Sequence, residues 1–192
     1  MSRKILLVLG LLASMSVNAA VVFSDNFNKE IRGNNKTPSA GWTVTDGTVD
    51  IIGYGSWKFF PAYGNYVDLD GSTSNAGILA HAFNLIGGKT YEANYELAGG
   101  QRRPTEINKV TVTFGSSSED YKFLYNDVFK NFSLRFTPTV SGTYQLSFAN
   151  AGGDNVGALL DNVSVNSVPL PAAAWLFLSS MLGMLGLRRK AV

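Results

Sequence analysis

Apolar and polar residues alternate with a period of two through most of the middle of this chain. The run 91–97 has an apolar residue at every second position, and the same pattern recurs at 110–114, 132–136 and 144–148. Successive side chains of a β-strand point to opposite faces, so each run predicts a half-buried antiparallel strand. Between residues 21 and 167 there is no amphipathic helical pattern of ordinary length. About nine strand candidates, separated by Gly-rich turns, therefore predict one antiparallel β-sandwich.

The sharpest turn signal is Asp46-Gly47, which lies between two alternating segments. Asp-Gly in this setting favours a two-residue type I′ turn in a β-hairpin. Such a turn pairs residues 42–45 with residues 48–51, so that their apolar side chains share one face. Trp42 then lies opposite Ile51, and we expect a hairpin centred on Asp46-Gly47.

The amino end has the features of a secretory signal peptide. The basic pair Arg3-Lys4 precedes an apolar run from Ile5 to Leu12, and the segment Val17-Asn18-Ala19 follows with a small residue at its end. A basic segment, an apolar segment and small residues, in this order, are what a signal peptidase recognises. Residues 1–20 are therefore predicted to be a signal peptide, with the mature chain beginning near Val21.

The carboxyl end combines a proline motif, an apolar segment and a basic cluster. Residues 171–187 carry no charge. At 1.5 Å per residue they form about 25 Å of helix, which is close to the ~30 Å of a bilayer core, and they predict a transmembrane helix. Basic residues after such a helix favour the cytoplasmic side, which leaves the preceding domain on the exported side. The motif consists of Val168, Pro169, Leu170 and Pro171, and the cluster consists of Arg188, Arg189 and Lys190.

The segment 168–192 resembles the PEP-CTERM sorting signal, in the variant with Leu170 in place of the glutamate. The resemblance implies a transient anchor in the inner membrane and cleavage by an exosortase near the proline motif. The domain 21–167 would then reach the cell surface or the biofilm matrix. The substitution at Leu170 leaves the cut site open.

Composition excludes several classes of function. The chain has no Cys and a single His, His81, which excludes thiol nucleophiles, disulfides and multi-histidine metal sites. Five of the 16 basic residues flank the two ends, so the body between them has 11 basic and 14 acidic residues and a net charge of −3. No basic stripe suited to nucleic acid is present, and no Gly-x-Ser-x-Gly elbow points to a serine hydrolase.

The order of four segments in the body resembles that of galactose-binding-like jelly rolls, a superfamily that includes many carbohydrate-binding modules. The segments are Asp25-Asn26-Phe27, Tyr66 to Gly71, Gly77 to Tyr91, and Gly157 to Val165. The resemblance spans about residues 21–166. It implies a jelly-roll β-sandwich that binds glycans without catalysing a reaction.

Asp161 is the carboxylate with the most unusual predicted surroundings. Strand parity places it on the face of Leu159, Val163 and Val165, where an unpaired charge is unfavourable by on the order of several kcal/mol. A hard cation such as Ca²⁺ would satisfy it, as would hydrogen bonds from backbone groups or an arginine. The jelly-roll resemblance implies a structural calcium ion between the first and last strands, with Asp25 as the second ligand.

A Gly-rich aromatic segment between two predicted strands is the first candidate for ligand binding. Sugars present apolar C–H faces to aromatic rings, so Tyr54, Trp57 and Tyr63 form a candidate platform. On the next loop, Arg102 and Arg103 are candidates for binding acidic polysaccharide through fork-shaped hydrogen bonds. The alternatives are that the rings cap the core and that the arginines belong to a solvated loop.

These features together predict an exported, non-enzymatic protein of the cell surface or biofilm matrix that contacts extracellular polysaccharide. Its partners on the way would be the signal peptidase, the inner membrane and an exosortase, with no nucleic acid. Two alternatives stay open. One is a structural or adhesion protein without a sugar pocket, and the other is a cryptic glycan hydrolase whose paired carboxylates do not stand out in the sequence.

Overall fold

A computed structural model describes residues 19–53, 55 and 57–169, and within this part Ala20–Val168 forms one compact unit. The unit is built from eleven β-strands. Their bounds are β1 Ala20–Asp25, β2 Trp42–Thr45, β3 Asp50–Gly53, β4 Asn65–Asp68, β5 Ile78–Leu85, β6 Tyr91–Ala98, β7 Ile107–Phe114, β8 Ser117–Leu124, β9 Lys130–Phe136, β10 Gly142–Asn150 and β11 Leu159–Ser167.

The strands form two antiparallel sheets packed face to face. The larger sheet has the order β3-β4-β11-β6-β9, and β1 also pairs with β11. The smaller sheet has the order β2-β5-β10-β7-β8. This arrangement confirms the predicted all-β antiparallel sandwich.

Alternation decides which side chains fill the space between the sheets. In β6 the inward residues Tyr91, Ala93, Tyr95 and Leu97 are buried, while the residues between them are partly exposed. The alternating apolar residues at 110–114, 132–136 and 144–148 also line the core, as the period of two predicted. Each large apolar side chain removed from water in this way stabilises the fold by about 1.5–3 kcal/mol.

The predicted hairpin at Asp46-Gly47 is wrong. Residues 42–45 form β2, which pairs with β5 in the smaller sheet, whereas β3 pairs with β4 in the larger sheet. The connection therefore crosses from one sheet to the other. Trp42 and Val49 both lie in the core, so the predicted faces are correct although the pairing is not.

Thr48 shows why this connection does not fold back as a hairpin. Its N–H donates to the carbonyl oxygen of Asn75 at 3.0 Å, and its own carbonyl oxygen accepts the N–H groups of Gly71 and Gly77 at 2.9 and 2.8 Å. These bonds join the connection to the segment between β4 and β5. The backbone groups that would close a tight turn are thus bonded to a distant part of the chain.

One end of the larger sheet is buried on both faces. Four residues lie buried on its outer side, and aromatic rings pack over them. The buried residues are Ile52, Tyr66, Ala98 and Leu159, and the covering rings are Phe59, Phe60, Tyr63 and Phe129. Three of these rings come from the connection between β3 and β4, which folds back over the outer face.

Several predictions concern residues outside the described part of the chain. They are the signal peptide before residue 19, the helix at 171–187, Leu170 and the basic cluster. Val168 and Pro169 of the proline motif are described, and the N–H of Val168 donates to the carbonyl oxygen of Thr90 at 2.8 Å. No helix in residues 19–169, with 54 and 56 excepted, is long and apolar enough to cross a membrane.

Candidate functional site

A cleft of about 550 Å³ lies where three loops meet beside the outer face of the larger sheet. The loops connect β3 to β4, β6 to β7, and β10 to β11. The cleft is lined by Trp57, Phe59, Gln101, Arg102, Arg103, Asp154, Asn155 and Val156. The structure thus brings Trp57 together with both arginines that the sequence singled out.

Each of the three loops contributes a residue with a left-handed backbone to this cleft. The φ angles are 54° at Trp57, 62° at Gln101 and 64° at Asn155. Sparsely populated backbone conformations are unfavourable by about 1–3 kcal/mol each and are concentrated at binding and active sites. The hydroxyl of Tyr66 holds the first of them by donating to the carbonyl oxygen of Trp57 at 2.8 Å.

Trp57 presents an exposed aromatic ring at the cleft. Its side chain is 54% exposed, although large apolar side chains in the rest of the sandwich are mostly buried. The guanidinium carbon of Arg102 lies 5.4 Å from the centre of the Trp57 ring, within the range of a cation–π contact. The ring of Phe59 lies 6.1 Å away and is tilted by 36°.

Both arginines of the cleft are bonded to acidic residues of this chain. Arg102 donates from Nη2 to Asp68 Oδ2 and to the carbonyl oxygen of Asn155. Arg103 donates from Nη1 to Asp154 Oδ2 and from Nη2 to the carbonyl oxygen of Asp154. An acidic sugar would therefore have to compete with these internal partners.

Asp68 lies beneath the cleft, and sequence reasoning missed it. Its side chain is 1% exposed, and its Oδ1 accepts the N–H groups of Asp70 at 3.0 Å and Gly157 at 2.9 Å. Burial raises the pKa of Asp68 to about 8, although Arg102 and these N–H groups favour the ionised form. The sequence around Asp68 indicates only a strand that ends in a turn, because the partner arginine is 34 residues away.

Tyr63, the third aromatic candidate, lies in the packed cluster on the outer face of the sheet. Its ring stacks on Phe129 with 4.4 Å between ring centres and a 28° angle. Phe60 packs against Phe129 at 4.8 Å. The structure therefore places Tyr63 in a packing role, while Tyr54 is outside the described residues.

Glu106 is the acidic residue beside the cleft that comes nearest to a general acid. Burial raises its pKa, and so does the negative charge of Asp154. Its Oε1 accepts a hydrogen bond from Asn108 Nδ2. A carboxyl group with a raised pKa near a cleft is a candidate for acid–base chemistry, so Glu106 is the residue on which a hydrolase hypothesis would depend.

Asp161 is buried as predicted, but it shares a face with only one of the three residues predicted. It is 1% exposed, and it shares the outer face with Leu159, whereas Val163 and Val165 point into the core. The register of β11 against β6 shifts between Asp161 and Ser164, and this bulge reverses the parity.

The carboxylate of Asp161 is only partly satisfied. Oδ1 accepts the N–H of Asn162 at 2.7 Å, while Oδ2 is buried and has no hydrogen-bond partner among the described residues. Burial, together with the charges of Glu96 and Asp25, raises the pKa of Asp161 to about 7. An unpartnered buried oxygen near two other carboxylates fits the need for a hard cation.

Asp25 fits a metal site less well. Its Oδ1 accepts the N–H of Phe27 at 2.8 Å, and its Oδ2 accepts the indole N–H of Trp42 at 2.9 Å. No group of three acidic or histidine side chains within the described residues has the arrangement of a metal site. The calcium ion therefore stays a prediction, with Asp161 as its best-supported ligand.

No family model matches this sequence, and no curated protein matches it. Solved structures do share its fold. The CBM22-1 xylan-binding domain of Xyn10C from Paenibacillus barcinonensis is 11% identical, with a TM-score of 0.54 over 79% of this chain and 97% of that domain. The CBM22-1–CBM22-2 tandem of the same protein is 11% identical, with a TM-score of 0.56 over 81% of this chain and 48% of the tandem.

A cyclase from Fischerella sp. TAU has the same architecture. It is 15% identical, with a TM-score of 0.57 over 79% of this chain and 98% of that chain. At these identities the likeness extends to the fold alone. The chain therefore shares the jelly-roll fold of these solved structures, and its function has to be argued from its own residues.

Proposed function

We propose that this chain is an exported, non-catalytic domain that binds polysaccharide at the cell surface or in the biofilm matrix. The observation that carries the proposal is the exposed Trp57 ring, held in a left-handed backbone conformation beside Arg102 in a cleft formed by three loops. An exposed ring in a pre-formed cleft suits the apolar face of a sugar.

Two further observations support this function. The fold is that of a domain described as xylan-binding, although that likeness does not identify a ligand for this chain. The cleft is wide and open and is lined by both aromatic and hydrogen-bonding side chains, which suits a polymer better than an enclosed metabolite.

The experiment is calorimetric titration of the chain with exopolysaccharide from the producing cells, for the parent and for Trp57→Ala. We expect saturable binding that Trp57→Ala weakens by about 1–3 kcal/mol, because the ring loses its contact with the sugar. The control is Ile86→Ala, which removes a similarly exposed apolar side chain outside the cleft. Equal affinities of the two variants would contradict the assignment of the cleft.

The same titration tests the first alternative, and an assay of reducing ends tests the second. A structural or adhesion protein without a sugar pocket would show no saturation. A hydrolase would release reducing ends from the polysaccharide, and Glu106→Gln would abolish that release because an amide cannot donate the proton.

The proposed route to the surface uses the signal peptide and the PEP-CTERM-like segment, with cleavage by an exosortase. Mass spectrometry of the chain recovered from the producing cells tests this route. We expect the recovered chain to lack residues 1–20 and most of the segment 168–192. Recovery of the intact chain from the cytoplasm would contradict both the export and the processing.

Calcium binding at Asp161 is a second part of this proposal. An ion that contacts the unpartnered Oδ2 would neutralise a carboxylate that burial and two neighbouring acids destabilise. The ion would stabilise β11 where it pairs with β6 and β1, and Asp161 does not line the cleft around Trp57.

A further inference from the structure

We propose that Arg102 is a positioning residue: buried Asp68 holds its guanidinium group against Trp57, and Arg102 does not itself bind an anionic ligand. This inference rests on the proposed function, because it concerns how the same cleft meets a sugar. It assigns to Asp68 the role of a buried anchor for the binding platform.

The hydrogen bonds of Arg102 leave no fork for a carboxylate. Bidentate binding uses two neighbouring N–H groups, either Nη1 with Nη2 or Nε with Nη2. Nη2 already donates to Asp68 Oδ2 and to the carbonyl oxygen of Asn155, and Nε is buried. Both bidentate arrangements require Nη2. Because Nη2 already donates to two acceptors of the protein, it is not available to an anionic ligand.

Asp68, the partner of Arg102, is itself held by hydrogen bonds from two parts of the chain. Asp68 ends β4, and its Oδ1 accepts N–H groups from Asp70 and from Gly157 in the connection between β10 and β11. Arg102, in the loop between β6 and β7, donates to the other carboxylate oxygen of Asp68. The cation–π contact then extends the connection to Trp57, so all three loops of the cleft are tied to one buried carboxylate.

Asp50 provides a matched control for Asp68. The two residues lie directly opposite each other on β3 and β4, and both are buried. Asp50 accepts hydrogen bonds from the hydroxyl of Ser72 and from the N–H groups of Ser72 and Asn35, and it has no bond to Arg102. Asp50→Asn therefore changes a buried carboxylate in the same place without removing a hydrogen bond of Asp68 or Arg102.

The charged and titratable groups that act on Asp68 are few. Arg102 favours its ionised form, while Asp50 disfavours it, and the phenol of Tyr66 lies close enough to sense its charge. The position of Trp57 should therefore depend on pH in the parent and in Asp50→Asn. In Asp68→Asn the position of Trp57 should be independent of pH. A purely structural role of Asp68 would not predict this difference between the variants.

The first experiment needs no ligand. It measures acrylamide quenching of Trp57 emission in the full chain, taken as the difference between the parent and Trp57→Phe in each background. We expect Arg102→Lys and Asp68→Asn to raise the quenching constant, because lysine cannot stack as a flat fork. Arg103→Lys and Asp50→Asn should leave it unchanged. Unchanged quenching in Arg102→Lys overturns the proposal, even if Asp68→Asn fails to fold.

The second experiment titrates the same variants with two soluble polymers, xylan and polygalacturonate, in 50 mM and 500 mM NaCl. Arg102→Lys keeps the charge, yet we expect it to bind xylan about fivefold more weakly, with little dependence on salt. Full affinity in Arg102→Lys, or tighter binding of polygalacturonate that salt abolishes, overturns the proposal in favour of anion recognition. If the parent binds neither polymer but the quenching changes as expected, the positioning role stands and the proposed function fails.

Discussion

Asp161 on β11 lies directly opposite Glu96 on β6, so two carboxylates share the outer face of the larger sheet. The charge of Asp25 on β1 also acts on Asp161. Burial and these two acids raise the pKa of Asp161 to about 7. The pair therefore links the stability of the sheet to the pH of its surroundings.

The first prediction concerns this pH dependence. The folded chain keeps a proton on Asp161 up to about pH 7, whereas the unfolded chain releases it near pH 3.8. Because the folded state binds more protons across this interval, the free energy of unfolding should fall as the pH rises, and Asp161 alone contributes up to about 4 kcal/mol of that fall. Urea denaturation in the presence of EDTA, from pH 4.5 to pH 8.5, measures this slope.

Asp161→Asn is the variant that tests the origin of the slope. It cannot ionise, so its free energy of unfolding should depend less on pH, and the slope that remains between about pH 3.8 and pH 8 is due to Asp68. Asp120→Asn, which removes an exposed carboxylate from β8, should keep the parent slope. A slope in Asp161→Asn equal to that of the parent would show that Asp161 is not the titrating group.

The second prediction concerns calcium. We expect Ca²⁺ to raise the melting temperature of the parent, and to do so more at pH 8 than at pH 5, because the ion competes with the proton on Asp161. At a concentration one hundred times the Kd the stabilisation is about 2.7 kcal/mol. Asp161→Asn should not respond. A native mass and a melting curve that chelator leaves unchanged would reject the calcium site.

The third prediction separates packing from binding among the aromatic residues. Tyr63→Ala removes a ring that stacks on Phe129, so it should lower the free energy of unfolding by about 2 kcal/mol and leave the affinity for polysaccharide unchanged. Tyr63→Phe keeps the ring and should be close to the parent in both measurements. A Tyr63→Ala chain that is stable but binds poorly would place Tyr63 in the binding surface.

The fourth prediction tests the crossing between the sheets. At Gly47 the φ angle is 144°, and an added Cβ atom would collide with the carbonyl oxygens of Asn75 and Ala76. Gly47→Ala should therefore lower the free energy of unfolding by about 2 kcal/mol or more. Chemical denaturation measures the loss.

Gly88→Ala is the control for backbone strain. Gly88 also has a positive φ angle, 76°, but an added Cβ atom would meet nothing within 4 Å. Gly88→Ala should therefore lower the free energy of unfolding by only about 1 kcal/mol, which is the cost of placing a residue with a Cβ atom in a left-handed backbone conformation. Equal losses in the two variants would mean that the segment after Gly47 is as open as a surface hairpin.

Local patterns were sufficient to predict the class of fold and most of the core. Alternation in β6 identified which residues of that strand point inward, because the direction of each side chain depends only on the backbone of its own strand. Residue type, rather than alternation, identified Trp57 and the two arginines, because aromatic rings in a Gly-rich segment and a pair of arginines can be recognised from the sequence alone. Those residues proved to line one cleft.

Pairing and register were decided by the folded chain. Asp46-Gly47 has the composition of a hairpin turn, yet β2 and β3 belong to different sheets because Thr48 bonds to the segment before β5. The bulge after Asp161 reversed a parity that a regular strand would have kept. The bond from Arg102 to Asp68 likewise joins residues on separate loops and strands. Such contacts depend on hydrogen bonds and burial between distant segments, and no local period encodes them.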